Sequence, residues 1–279
     1  MLSQCFKELG VTLSTYSFAT LYLFRKKHDT CVIFTDKIYV KGKTYDEKTY
    51  LMLCYAPNTL DQQEMLSLLK KYDFIYPVPE VWRAYFDPDK FSMHFLEANS
   101  DYVFSVEKLA TYPGRELSSK RNLEKQFKDH YDAKMCVLTE ALATDAEKVL
   151  NHWQDETKKQ EEETDYEPCR EALKLLSFLE LEGRIFYVGK EPIAFLIGEA
   201  IGKKTFIIHF AKADTRYKGV YPYIYQTFAE ECLGKYRYFN MEEDLGLPTL
   251  IQAKRAYLPD FYNVKLRVVH SPRINSERK

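Results

Sequence analysis

The sequence is poor in glycine and cysteine for its length, with 10 Gly and 6 Cys among 279 residues. The cysteines are scattered and include no CxxC pair, which argues against a zinc-ribbon site and against a disulfide framework. Free cysteines of this kind behave as small apolar residues, so we expect a reduced, cytoplasmic protein. Apart from His209, the histidines show no metal-ligand spacing, and we predict no metal site.

Further absences narrow the class of protein. No stretch approaches the ~20 apolar residues that a membrane-spanning helix needs, and the N-terminus lacks the basic and apolar regions of a signal peptide. Excess charge of one sign is also missing, because 40 basic residues face 41 acidic ones. Any contact with RNA would therefore depend on a local basic patch. There is no G-x-S-x-G motif, so we expect direct attack by an acceptor rather than a covalent serine intermediate.

The residues that are present indicate a well-packed α/β protein. Hydrophobic residues make up 46% of the chain, including 22 Tyr and 18 Phe, which is ample for a core. The length suggests about two domains at roughly 150 residues each. Helical and strand patterns alternate in both halves, with mixed, mostly antiparallel sheets flanked by helices. We place the domains at 1–110 and 111–279, with the last predicted strand, 264–269, in the second.

The most informative stretch runs from residue 205 to residue 259. A β-branched and aromatic strand at 205–210 leads into a basic loop, and Pro222 suits the first turn of the helix that follows. That helix ends at Gly234, and a second strand at 236–242 leads into an acidic turn. The sequence therefore predicts strand, basic turn, helix, strand, acidic turn and helix in succession.

The basic loop has the composition of an anion site. Unpaired backbone N–H groups and the positive dipole end of a helix can hold a phosphate there. We predict that this loop binds the phosphate groups of a substrate that donates a chemical group. The residues assigned to this binding are Lys212, Arg216, Lys218, Gly219, Val220 and Tyr221. An ordinary strand-to-helix loop with solvated basic residues is the alternative.

The acidic turn supplies the candidate catalytic residues. Glu242, Glu243 and Asp244 are consecutive, and such crowding raises the pKa of at least one carboxyl group toward that of a general base. Asn240 shares a strand face with Glu242. The alternative is a purely structural role for these acids. Asp244 would then cap the next helix, and one carboxylate of the turn would pair with Lys254 or Arg255. His209, in the apolar strand, is either a catalytic base or a satisfied buried histidine.

A second basic segment covers residues 105–130. Its lysines and arginines include Lys120, Arg121 and Lys125, and we group these with Lys254 as a basic patch. The patch would contact phosphate groups of a ligand. A solvated helix between two domains is the alternative interpretation.

Four segments resemble the family named for the C-terminal domain of phosphatidylglycerol lysyltransferase. They are YPGRELSSKRNLEKQF, EPIAFLIGEA, FAKADTRYKGVYP and NMEEDLGLPTLIQAKRAYLP, the last similar to an Asn-x-Glu-Glu-Asp-x-Gly signature. The resemblance implies two tandem acyltransferase-like domains of the Gcn5-related N-acetyltransferase (GNAT) fold. The wider group uses acyl-coenzyme A or aminoacyl-tRNA as donor.

Against the GNAT donor-loop pattern Gln/Arg-x-x-Gly-x-Gly/Ala, Arg216 and Gly219 match, whereas Tyr221 replaces the final small residue. A bulky side chain there could obstruct the pyrophosphate of coenzyme A, which keeps aminoacyl-tRNA open as the alternative donor. We therefore expect an acyl- or aminoacyltransferase without a tightly bound cofactor, acting on an amine or hydroxyl acceptor. The second hypothesis is a non-catalytic binding protein that has lost donor binding. Because the first half lacks a glycine turn before a helix, no donor loop is placed there.

Overall fold

A computed structural model describes residues 1–59 and 61–271. The helices are α1 (Leu2–Leu9), α2 (Phe18–Leu23), α3 (Gln62–Leu68), α4 (Val106–Thr111), α5 (Ser118–His130), α6 (Ala143–Thr157), α7 (Tyr166–Lys174), α8 (Val220–Cys232) and α9 (Pro248–Arg255). The strands are β1 (Cys31–Phe34), β2 (Ile38–Lys43), β3 (Thr49–Leu53), β4 (Phe74–Pro79), β5 (Phe91–His94), β6 (Asp101–Ser105), β7 (Ala133–Val137), β8 (Glu182–Val188), β9 (Glu191–Ile201), β10 (Thr205–Ala213), β11 (Tyr238–Asn240), β12 (Phe261–Asn263) and β13 (Lys265–His270).

The first compact unit consists of residues 1–101 and 263–271, within the described parts of the chain. Its sheet has the strand order β1-β2-β3-β4-β13-β5. Strands β3 and β4 are parallel, and the other neighbouring pairs are antiparallel. The sheet carries an apolar core built from fully buried side chains such as Leu51, Ile75 and Val268.

The second compact unit consists of residues 102–262. Its sheet has the order β12-β6-β11-β10-β9-β8-β7. Here β10 and β11 form the parallel pair, with helix α8 between them in sequence, just as α3 lies between the parallel strands β3 and β4. Both units thus repeat an antiparallel meander, a helix and a parallel strand.

The predicted α/β class, with two units built on mixed, mostly antiparallel sheets, is confirmed. The division of the chain differs from the predicted boundary at residue 110. Strand β6 belongs to the second sheet, where Phe104 pairs with Phe239. Strand β13, predicted in the second domain, lies in the first sheet between β4 and β5, because Leu266 and Val268 complete its core. Residues 272–279 of the predicted second domain lie outside the described residues.

Strands β9 and β10 of the second sheet approach each other closely at Gly198. A Cβ atom on Gly198 would lie 1.8 Å from the carbonyl oxygen of Ile207, so this position accepts no larger residue without displacing the strand. Just beyond, the pairing of β9 with β10 shifts register between Ile208 and Phe210. His209 therefore occupies a β-bulge, a feature that redirects a side chain and is frequent beside functional sites.

Candidate functional site

The candidate site lies where two neighbouring strands of the second unit separate. Strands β10 and β11 pair through three residues, ending at Ile207 and Asn240. Strand β10 continues to Ala213, whereas β11 ends at Asn240, so the pairing of the two strands stops at that point. The bulged His209 lies two residues after Ile207, and the acidic turn follows β11.

Two carboxylates bind the imidazole of His209 from opposite ring nitrogens. Nδ1 lies 2.9 Å from Oε1 of Glu242, and Nε2 lies 3.1 Å from Oε1 of Glu199 on β9. The imidazole is buried, with 1% of its side chain exposed, whereas the carboxylates of Glu242 and Glu199 keep 17% and 20% exposed. The cluster therefore presents two acidic groups toward solvent above a buried ring.

The electrostatics of this cluster favour a protonated histidine. Burial alone would lower the pKa of His209, but the hydrogen bonds and charges of Glu199 and Glu242 outweigh it and raise the pKa to about 10. An imidazolium uses both ring N–H groups as donors, which suits carboxylate partners on both sides. This state argues against His209 as the base that the sequence suggested. It instead fixes two carboxylates in place.

The acidic turn is held by its own side chains. Oδ1 of Asn240 accepts a hydrogen bond from the backbone N–H of Glu242 at 2.8 Å, and Glu242 has a positive φ of 57°. Asp244 is buried; its Oδ2 accepts a 2.5 Å bond from the hydroxyl of Tyr102, and its Oδ1 accepts the N–H of Gly246. Asn240 and Asp244 therefore shape the turn that carries Glu242.

Lys254 lies beneath the same turn. Its Nζ donates to the carbonyl oxygens of Met241 and Glu243 at 2.6 Å each, and to that of Glu242 at 3.2 Å. The residue predicted as part of a basic patch thus clamps the acidic turn. The suggestion that Asp244 caps the following helix is wrong, because α9 begins after Leu247 and Asp244 bonds Gly246 instead.

The predicted donor loop joins β10 to α8. Gly219 is the residue before the helix, with φ of 90°, and a Cβ atom there would lie 2.2 Å from the carbonyl oxygen of Leu123. Both its backbone conformation and its contact with α5 therefore require glycine. Val220, predicted as a loop residue, is instead the first residue of α8, and Lys218 is exposed beside it.

The other cations of this loop are paired within the protein. The guanidinium of Arg216 contacts both oxygens of buried Asp214, with the shortest distance 2.5 Å, although 62% of its side chain is exposed. Lys212 is buried, 2.6 Å from Asp165 and 3.4 Å from the ring centre of Trp153. The structure thus places Lys212 away from the loop surface, and Arg216 at the surface with its charge partly compensated.

Tyr221 lies in a cluster of four tyrosines. Its ring is half-buried 6.2 Å from that of Tyr225, which in turn lies 5.4 Å from Tyr257. Tyr112 lies 6.0 Å from Tyr257 and donates from its hydroxyl to the carbonyl of Pro222. Burial raises the pKa of Tyr225 to about 12, so this phenol stays neutral at physiological pH.

The remaining basic-patch residues lie on α5 and have different environments. The ammonium of Lys120 lies 4.0 Å from the ring centre of Tyr257, and burial lowers its pKa. Arg121 donates to the carbonyl oxygens of Tyr112 and Gly114, in the segment that follows helix α4. Lys125 is exposed. The segment thus contains one tyrosine-bound lysine, one structural arginine and one surface lysine.

The structure brings His209, Asn240 and Glu242 together, while Lys212 and Arg216 of the donor loop pair with Asp165 and Asp214. It also adds Glu199 and Tyr102, which the sequence analysis missed. Glu199 had a recognisable signal, since it is a lone acid at the end of an apolar strand. Tyr102 had none, because it resembles the other buried aromatics until its hydroxyl partner is known.

No helix within residues 1–59 and 61–271 has the length and apolar character to span a bilayer. The family model described as "Phosphatidylglycerol lysyltransferase, C-terminal" matches residues 6–265. A search of curated proteins found no match.

Among solved structures, a conserved protein of unknown function from Bacteroides thetaiotaomicron is 24% identical, with a TM-score of 0.81 and 97% of each chain covered. L-PGS from Bacillus licheniformis is 12% identical, with a TM-score of 0.57 and 91% of each chain covered. The C-terminal domain of a protein named as a lysylphosphatidylglycerol synthetase from Agrobacterium fabrum is 11% identical, with a TM-score of 0.59, covering 96% of this chain and 92% of that one. At these identities the structural matches establish a shared fold.

Proposed function

Because the chain belongs to the family of the phosphatidylglycerol lysyltransferase C-terminal domain, we propose that it transfers an aminoacyl group from aminoacyl-tRNA to an amine or hydroxyl acceptor. The observation that carries the proposal is the cluster of Glu199, His209 and Glu242 at the point where β10 and β11 diverge. The cluster offers two partly exposed glutamates whose carboxylates are held by the buried imidazole of His209.

In the proposed reaction, the acceptor attacks the ester carbonyl of the donor. A bond forms between the acceptor nitrogen or oxygen and the carbonyl carbon, and the ester C–O bond to the tRNA ribose breaks. The carboxylate of Glu242 takes the proton released by the acceptor and passes it to the ribose oxygen, which leaves as a hydroxyl group. Glu242 is a better candidate for the base than Glu199. Asn240 and Lys254 hold the backbone of Glu242, and His209 holds its carboxylate.

The donor would reach this cluster along the loop before α8. Lys218 is exposed at the helix N-terminus, and the side chain of Arg216 is 62% exposed despite its pairing with Asp214. Backbone N–H groups and the helix dipole add to the attraction for phosphate there. We assign to Arg216 and Lys218 the binding of donor phosphates.

An acyl-coenzyme A donor is the second candidate. The divergence of β10 and β11 after three residue pairs favours it, since a gap between parallel strands suits an extended thioester arm. A binding protein without catalysis is favoured by the half-buried Tyr221 and by the ion pair that occupies Arg216.

The test compares both donors in parallel, with hydroxylamine as a surrogate acceptor. Total tRNA charged with labelled amino acids reports aminoacyl transfer, and acetyl-coenzyme A reports acetyl transfer through release of a free thiol. We expect catalysed loss of the aminoacyl ester that falls by about 10²–10⁴-fold in Glu242→Gln, the range for removal of a general base. Glu182→Gln is the matched control, because Glu182 is an exposed acid on β8 of the same sheet, paired with Lys235.

The other outcomes are equally distinct. Thiol release that depends on Glu242 would replace aminoacyl-tRNA with acyl-coenzyme A as donor. Donor binding that raises the melting temperature, without turnover of either donor, would support the binding protein. Ligand at ~100 times its dissociation constant stabilises a protein by about 2.7 kcal/mol, which a melting curve detects. Loss of that shift in Arg216→Ala would place the donor on the loop.

A further inference from the structure

A second cluster of ionisable groups lies at the base of the donor loop. His152 and Glu156 are one helical turn apart on α6, and Asp214 follows the end of β10. Nε2 of His152 lies 3.2 Å from Oδ1 of Asp214 and 3.4 Å from Oε1 of Glu156. All three ligand-type atoms lie within 4.8 Å of one another.

These distances fit the edges of a small coordination polyhedron. Zinc bonds of about 2.0–2.1 Å to nitrogen and oxygen place neighbouring ligands roughly 3.3–3.5 Å apart in a tetrahedron. The two distances that involve His152 agree with this spacing. Glu156 is 29% exposed, so its carboxylate is accessible from solvent and can rotate to adjust the third edge.

The orientation of His152 is the second observation. Nε2 is buried, yet it forms no hydrogen bond of acceptable geometry with any residue in the described parts of the chain. Buried polar atoms of this kind need a partner, and each one without a partner calls for an explanation. The nitrogen lies near both carboxylates without a directed bond to either, which a cation shared by all three groups would account for.

The surroundings of the two carboxylates resemble an outer coordination shell. The backbone N–H and Nε of Arg216 donate to Oδ1 of Asp214 at 3.0 Å each, while the hydroxyl of Thr215 donates to Glu156 at 3.1–3.2 Å. Ligating carboxylates are commonly held by such outer partners. With a neutral imidazole, two carboxylates and one guanidinium leave a net charge of −1, which favours a divalent cation.

We propose that His152, Glu156 and Asp214 bind a divalent transition-metal ion such as Zn²⁺. The mixed nitrogen and oxygen ligand set favours zinc, cobalt or nickel over Mg²⁺ and Ca²⁺, which prefer oxygen ligands alone. Such an ion would link the start of the donor loop to α6 and would restrict the motion of residues 214–219. The sequence analysis predicted no metal because it compared histidines with each other and Asp214 is 58 residues from Glu156.

The proposal is tested by titrating tag-free, chelator-treated full-length protein with ZnCl₂ and with CoCl₂. Calorimetry measures affinity, and visible absorption of bound Co²⁺ reports nitrogen and oxygen coordination. We expect His152→Ala to lower the affinity for Zn²⁺ by at least ~100-fold, since even outer-shell partners contribute about 10–100-fold. His130→Ala is the matched control, because His130 is an exposed histidine on another helix of the same unit.

The alternative explanation is a plain ion pair between His152 and the two carboxylates. Under that alternative Zn²⁺ binding would be absent, or equal in the parent protein, His152→Ala and His130→Ala, and either result would overturn the proposal. A response to MgCl₂ as strong as the response to ZnCl₂ would also contradict it. Because His152 is half-exposed on a helix, the alanine variant is expected to fold, and its circular dichroism without metal verifies this.

Discussion

Oε1 of Glu242 lies 2.9 Å from Nδ1 of His209, although Glu242 adopts a backbone φ of 57° that non-glycine residues rarely occupy. Such a conformation costs of order 1–3 kcal/mol and persists where surrounding contacts determine it. Here the contacts are the side chain of Asn240 and the ammonium of Lys254. The chain therefore accepts local strain at the residue whose carboxylate contacts the buried imidazole.

The first prediction concerns the protonation of His209. Its pKa of about 10 means that the ring stays charged at pH 8, where an exposed histidine with a pKa near 6.5 is neutral. We expect imidazole nitrogen NMR signals of His209 to remain those of the cation up to about pH 9. Glu199→Gln and Glu242→Gln should each lower the titration midpoint, because each removes one of the two charges that raise the pKa.

The same shift makes stability depend on pH. Since the pKa is raised on folding, the stabilisation from His209 is complete below about pH 6.5 and is lost as pH rises toward 10. The free energy of unfolding should fall across this window by up to about 1.4 kcal/mol per pH unit. Urea unfolding of the parent protein and of His209→Gln measures the difference. Parallel pH profiles for the two proteins would contradict the prediction.

The second prediction compares two glycines. Gly219→Ala introduces a Cβ atom 2.2 Å from a carbonyl oxygen of α5 at a φ of 90°, so backbone must move. Gly189 has a similar positive φ of 59° but nothing within 4 Å of an added Cβ atom. We expect Gly189→Ala to cost about 1 kcal/mol, from backbone conformation, and Gly219→Ala at least ~2 kcal/mol. Equal losses in urea unfolding would show that the contact with α5 is unimportant.

The third prediction concerns the clamp on the acidic turn. Lys254→Met removes the donor from the carbonyl oxygens of Met241, Glu242 and Glu243. We expect unfolding free energy to fall by about 1–3 kcal/mol, since partly buried acceptors lose their partner. Lys203→Met, at an exposed turn of the same unit, serves as control and should change stability little. A loss in Lys254→Met no larger than that in the control would argue against the clamp.

Much of the fold could be predicted from local pattern. The alternating strand and helix signals indicated the mixed sheets, and Pro222 indicated the first turn of α8. The position of β13 could not be predicted this way. It pairs with strands about 170–190 residues earlier, and local hydrophobic pattern contains no information on such distant partners.

The candidate site was only partly predictable, again because the sequence does not reveal which distant residues are in contact. The motif around Asn240 and Glu242 marked the correct turn, and His209 was recognisable as a histidine in an apolar strand. The pairing of Lys212 with Asp165 and of Arg216 with Asp214 was not, because sequence reveals charges without revealing their partners. The basic loop therefore seemed more strongly cationic than it is.

The last prediction tests the part of the first unit that sequence pattern missed. Lys265 on β13 is fully buried, with Nζ 2.6 Å from Oδ1 of Asp101 and 2.9 Å from Oγ of Ser14. Asp101 also accepts the backbone N–H and the hydroxyl of Ser14 at 2.7 Å each. A buried ion pair gains little over apolar residues, but removing one partner leaves a charge without compensation.

Lys265→Met should therefore lower the unfolding free energy by about 3–5 kcal/mol. Lys235→Met, which breaks the exposed pair with Glu182, should cost at most about 1 kcal/mol. Adding Asp101→Asn to Lys265→Met removes the buried carboxylate charge while keeping an acceptor for Ser14, so the double variant should be more stable than Lys265→Met alone. Urea unfolding of the parent, Lys265→Met, Asp101→Asn and the double variant completes the cycle, with Lys235→Met measured beside them. A loss below 1 kcal/mol in Lys265→Met would mean that solvent reaches Asp101 and that β13 is not firmly held in the first sheet.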